Sequence, residues 1–102
     1  MDDRMLRIGS TFYDVRFINM HGHGESDFDF AYIHINPNNI PERIGRTLLH
    51  EIIHMGLAEY CQIPLTEEQE EAIVRALEHT FAGLAKDEIE TLTEINQLMG
   101  EE

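Results

Sequence analysis

The sequence predicts an α+β fold in one domain: a small, mainly antiparallel three-stranded sheet, then a long helix, a second helix and a C-terminal helix. Three observations predict it. Up to residue 35 the apolar residues alternate with polar ones, the period of a half-buried strand. From residue 40 onward they recur at about 100° per residue, the helical period. Turn-forming residues punctuate the chain at Gly9-Ser10, at Asn36-Pro37-Asn38-Asn39 and at Pro64. Strands gathered before helices, rather than alternating with them, point to α+β rather than to a parallel βαβ sheet.

The strands are expected between about residues 5 and 36. Leu6-Arg7-Ile8 reads as the first, closed by Gly9-Ser10. Tyr13, Val15 and Phe17 alternate with Asp14 and Arg16 in the second. Asn19 to Asp27, with Gly22 and Gly24, reads as a loop. Phe28 to Ile35 reads as the third strand, with Phe28, Phe30, Tyr32 and His34 on one face and Ala31, Ile33 and Ile35 on the other.

Pro41 is compatible with a first helical turn, where its missing N–H costs nothing, and Asn38 or Asn39 could cap that helix. It is expected over about 40–60, with Ile44, Leu48, Ile52 and Met55 as its apolar face. Thr66-Glu67-Glu68-Gln69 is a capping box that opens a second helix over about 66–84, with Ile73, Val74, Leu77, Phe81 and Leu84 as its stripe. A last amphipathic segment over about 87–99 carries Ile89, Leu92, Ile95, Leu98 and Met99.

Composition narrows the function. The chain has 102 residues, enough for one core, and 42% of them are hydrophobic. Twenty acidic residues against seven basic ones give a formal net charge of −13, which repels phosphate backbones; no nucleic-acid partner is expected. No apolar run approaches the ~20 residues of a membrane span, so no membrane partner is expected and the expected location is the cytoplasm of a bacterium or phage-infected host. The one cysteine, Cys61, has no intrachain disulfide partner and reads as a small packed thiol rather than a metal ligand.

The chemistry is concentrated in His50-Glu51-Ile52-Ile53-His54. Histidines four apart lie one above the other on a helix face, so two imidazole nitrogens can reach one zinc ion. Glu51 beside them is the expected general base toward a water, and one Zn2+ per chain the expected cofactor. The third ligand must come from elsewhere. A further histidine at position 60, required by metzincins and by H-x3-H-x5-H sites, is replaced by Tyr60, and the metzincin glycine at 57 by Leu57. There remains a glutamate on the next helix, which offers Glu67, Glu68, Glu70, Glu71 and Glu78. Glu70 projects near the middle of the second helix's stripe, while Glu71 and Glu78 lie together at its border. Periodicity leaves that choice open.

The run Arg46-Thr47-Leu48-Leu49-His50-Glu51-Ile52-Ile53-His54, followed by Leu65-Thr66-Glu67-Glu68-Gln69-Glu70-Glu71, resembles small phage and prophage-encoded zinc peptidases similar to the ImmA/IrrE metallopeptidases, minimal gluzincin-like zincins. Leu6-Arg7-Ile8-Gly9 and Tyr13-Asp14-Val15 resemble that family's opening strands, so the likeness covers about residues 6 to 84. The resemblance implies a zincin-like fold, hydrolysis of peptide bonds in a peptide or protein substrate, and Glu71 as third ligand beside His50 and His54. Glu70, where the family is usually apolar, is a departure and the alternative third ligand. The loop Met20-His21-Gly22-His23-Gly24 also departs from the family.

Tyr60 and His79 are candidate contacts to the substrate or transition state. For His21, His23 and His34 a solvated or packing role is expected. If Tyr32 to Ile35 forms the sheet edge, an extended substrate could pair with it as an added strand. The alternative to a peptidase is a zinc-containing binding or regulatory module that cleaves nothing, against which an intact Glu51 argues.

Overall fold

The computed structural model describes residues 2–100. Four strands, β1 (Arg4–Ile8), β2 (Thr11–Phe17), β3 (Gly24–Asp27) and β4 (Tyr32–Ile35), form one sheet in the order β1-β2-β4-β3. Three helices follow: α1 (Pro41–Tyr60), α2 (Glu67–Asp87) and α3 (Ile89–Met99). The class is α+β, as the segregated periods indicate.

The sheet departs from the expected three antiparallel strands in two ways. It has a fourth strand, and its central pair, β2 with β4, is parallel, with Val15 opposite Ile33 and Phe17 opposite Ile35. The outer pairs, β1 with β2 and β3 with β4, are antiparallel. The added strand comes from the stretch expected to be a loop. Gly24-Glu25-Ser26-Asp27 has no strand-forming composition, yet it pairs with β4 and lies against α1; tertiary contact overrides propensity here. Gly24 permits that approach, because a Cβ on it would lie 2.7 Å from Thr47 Cγ2 and 3.2 Å from the His34 carbonyl oxygen.

The half-strand expected over Phe28–Ala31 is instead the turn of the β3–β4 hairpin. Asp27 accepts a hydrogen bond from the Phe30 N–H at 2.9 Å, a side chain standing in for a backbone turn, and Ala31 takes a left-handed φ of 53°. Phe28 and Phe30 are consequently exposed. β4 lies inside the sheet, so the edge beside α1 belongs to β3.

One face of the sheet makes the core. Tyr13, Val15, Ile33 and Ile35 are fully buried and pack with Ile44 and Met55 of α1, with Leu48 and Ile52 partly buried around them. The other face is open, where His34 stacks on Tyr32 at 4.2 Å between ring centroids. The cap of α1 is Ile40, not Asn38 or Asn39; Asn39 Oδ1 accepts the Ile40 N–H instead. The Thr66 capping box forms in full, with both reciprocal bonds present. α2 continues to Asp87, beyond the expected Leu84. It packs on α1 and α3 and buries only Val74 of its stripe completely. α3 contacts α2, and none of its residues is buried.

A half-buried hydrogen bond ties the sheet to α1. The Tyr13 hydroxyl donates to Glu59 Oε1 at 3.0 Å. Burial, then the bond and charge of Glu59, push the Tyr13 pKa from its ordinary 10 to about 12. A proton held more tightly in the folded than in the unfolded chain contributes stability that is complete below pH 10 and falls as pH rises toward 12. Tyrosinate absorbance should therefore show Tyr13 ionising late, toward pH 12. Tyr13→Phe should remove that late step and cost about 1 kcal/mol at neutral pH. A late step that persists in Tyr13→Phe would contradict the assignment.

Candidate metal centre

α1 lies between the sheet and α2, and the motif uses both sides of it. Successive helical residues differ by about 100°, so His50 and His54 face α2 while Glu51 turns toward β3. Facing the two histidines are Glu70, Glu71 and Glu78, residues on one side of α2 around the buried Val74. On the side of α2 toward α1, Val74 of the apolar stripe is thus flanked by three carboxylates.

The two imidazoles aim their Nε2 atoms at each other, 3.2 Å apart. Glu71 Oε1 lies 2.9 Å from His54 Nε2, and its Oε2 lies 3.8 Å from His50 Nε2. Donor atoms of His50, His54 and Glu71 all fall within 4.8 Å of one another. The opposite nitrogens are held from behind. His50 Nδ1 is 2.8 Å from Glu78 Oε1, and His54 Nδ1 is 2.6 Å from Glu70 Oε2.

The outer carboxylates suit one tautomer for holding a metal ion. A carboxylate can only accept, so when Nδ1 of each ring donates to its outer carboxylate, Nε2 of a neutral ring is available to a cation. The two Nε2 atoms and a Glu71 oxygen then converge on one point, where one cation could take all three. Zinc bonds of about 2.0–2.1 Å at a tetrahedral angle put donor atoms ~3.3 Å apart, which the Nε2 pair matches. Carboxylates that orient ligating histidines are the usual outer support of such ions. The donor set fits zinc.

Glu70 therefore has a role that the periodicity argument did not separate from ligation: it sits on the outer nitrogen of His54 rather than among the converging atoms. Glu78 does the same for His50 and is itself gripped by Arg46, with Nε at 2.9 Å and Nη2 at 2.8 Å. Burial alone would raise the Glu78 pKa, but the hydrogen bonds from His50 and Arg46 outweigh it and hold the carboxyl below its ordinary value. This supporting role has a signal in the spacing, since Glu78 is seven residues after Glu71 and Arg46 is four before His50.

Glu51 is the one buried charged residue among those described, at 9% exposure. The Ser26 hydroxyl donates to its Oε1 at 2.6 Å. Ser26 carries no sequence signal, because nothing in the composition of Gly24–Asp27 marks a strand. The remaining candidates lie elsewhere. Tyr60 is exposed at the far end of α1, against Gly9, and His79 is exposed with Nδ1 at 3.2 Å from Arg46 Nη2. Cys61 Sγ faces the Ile63 carbonyl. His23 lies beside Asn39, and His34 is 3.8 Å from Glu25 on the open face of the sheet.

No family model, curated protein or solved structure matches the chain.

The geometry ranks the carboxylates. His50→Ala and His54→Ala should each drop measured zinc well below one per chain. In a chelator competition, Glu71→Gln should weaken zinc binding most, and Glu70→Gln and Glu78→Gln by about 10-fold to 100-fold, as for other outer-shell partners. A greater loss from Glu70→Gln than from Glu71→Gln would exchange their roles.

Proposed function

We propose that the chain is a zinc-dependent metallopeptidase, a minimal gluzincin-like zincin that hydrolyses peptide bonds with Glu51 as general base. The observation that carries this reading is the convergence of His50 Nε2, His54 Nε2 and a Glu71 oxygen beside a buried, oriented Glu51. His50, His54 and Glu71 would hold the ion. When bound, zinc acidifies a water and polarises a carbonyl.

The chain's own groups do the rest. Glu51, fixed by Ser26, accepts a proton from the attacking water as its oxygen bonds to the peptide carbon. The same carboxyl then gives that proton to the amide nitrogen as the C–N bond breaks, leaving a carboxylate and an amine. Glu78 and Glu70 keep both imidazoles in the tautomer that presents Nε2. The substrate-pairing edge expected of Tyr32 to Ile35 passes to β3, whose outer edge runs beside α1 and can accept an extended peptide as a further strand.

A zinc-containing module that only binds would not need a carboxylate buried beside the ion-holding residues and oriented by a serine. The test separates the two readings. Glu51→Gln should retain one zinc per chain and lose cleavage of a peptide library by at least about 100-fold, the lower range for removing a general base. Unchanged turnover in that variant would overturn the mechanism, and zinc-loaded native chain that cleaves nothing would favour the binding module.

A further inference from the structure

We propose that the cavity beside the His/Glu site recognises a carboxylate on the substrate, and that Arg43 is the group that binds it. This rests on the peptidase reading and names the substrate class for the same site. The cavity, of about 600 Å³, runs from His50 and Glu51 toward the start of α1, with Gly24 of β3 on one side and Glu78 of α2 on the other. Arg43, Arg46 and Thr47 line its floor, one and two turns of α1 before His50.

Pairing decides which charge in this cavity is free to meet a ligand. The Arg46 guanidinium is engaged by Glu78 at 2.8 Å, and Glu78 also by His50. Glu42 lies 3.6 Å from Lys86, and Glu51 accepts from Ser26. Arg43 is different: among the described residues its guanidinium makes no hydrogen bond or ion pair, and it is exposed at the cavity. A free guanidinium fork binds a carboxylate through two parallel hydrogen bonds, which an amide or an alkyl side chain cannot reproduce.

The rest of the surface sharpens the effect. The net charge of −13 repels acidic peptides in general, so an accessible cation beside the reacting groups makes one position of the substrate the favourable place for a negative charge. Seven helical residues separate Arg43 from His50, ~10 Å along the axis. An extended chain advances about 3.3 Å per residue, so the carboxylate falls within about three residues of the bond cleaved. It can belong to an aspartate or glutamate side chain or to the substrate's own C-terminus.

The experiment uses the zinc-loaded full chain and matched peptides carrying Glu or Gln at each of the three positions on either side of a cleavable bond. Each peptide is made with a free or an amidated C-terminus. Cleavage is followed with the native chain, and binding by fluorescence anisotropy with Glu51→Gln. One acidic position should improve both kcat/KM and affinity by about tenfold over its glutamine partner, in line with a charged hydrogen bond. Arg43→Glu should invert that preference toward glutamine, and Arg43→Lys should keep part of it. An effect confined to the free C-terminus identifies the terminal carboxylate as the source.

Cleavage and binding that do not distinguish Glu from Gln overturn the assignment while the peptidase reading stands. Acid-selective, Arg43-dependent binding without any cleavage supports the assignment and overturns the peptidase reading. Neither cleavage nor acid-selective binding overturns both.

Discussion

The arrangement turns on the convergence of three donor side chains between two packed helices. His50 and His54 present their Nε2 atoms to each other at 3.2 Å, with a Glu71 oxygen 2.9 Å from one of them. Each ring is prevented from turning away by a carboxylate on its other nitrogen, Glu78 for His50 and Glu70 for His54. A cation that enters such a cluster meets donor atoms already oriented for it. The support continues outward through Arg46, which grips Glu78 and reaches His79.

The fold supplies this geometry with few elements. α1 is covered on one side by the sheet, through Ile44 and Met55 against Tyr13, Val15, Ile33 and Ile35, and on the other by α2. Its polar motif can therefore divide its work. The two histidines face the carboxylates of α2, while Glu51 is buried toward β3 and meets Ser26. Gly24 lets the edge strand approach Thr47 closely enough for that serine to reach. The Tyr13–Glu59 bond fixes the sheet against the C-terminal half of the same helix.

Much of this was legible in the residues. The helices announce themselves through Pro41, the Thr66 capping box and the apolar spacing, and the motif places His50, Glu51 and His54 without further help. Other features depend on contacts that a linear pattern does not carry. Gly24–Asp27 becomes a strand only because β4 and α1 receive it, whereas the alternating Phe28 and Phe30 stand exposed on a turn set by Asp27 and Ala31. The parallel pairing of β2 with β4 follows from the insertion of β3 between them in sequence but outside them in space. On α2, a single helical projection forced a choice between Glu70 and Glu71. Two adjacent carboxylates can both face α1 when one reaches the inner nitrogen of a histidine and the other the outer nitrogen.

The central claim is that these three side chains converge on one metal ion, and X-ray absorption at the zinc edge of the purified, zinc-loaded chain tests it most directly. The account predicts one zinc per chain with only nitrogen and oxygen neighbours at about 2.0–2.2 Å, including the outer-ring scattering of two imidazoles. A sulfur neighbour at about 2.3 Å, which would bring in Cys61, or a spectrum with no imidazole scattering would contradict it.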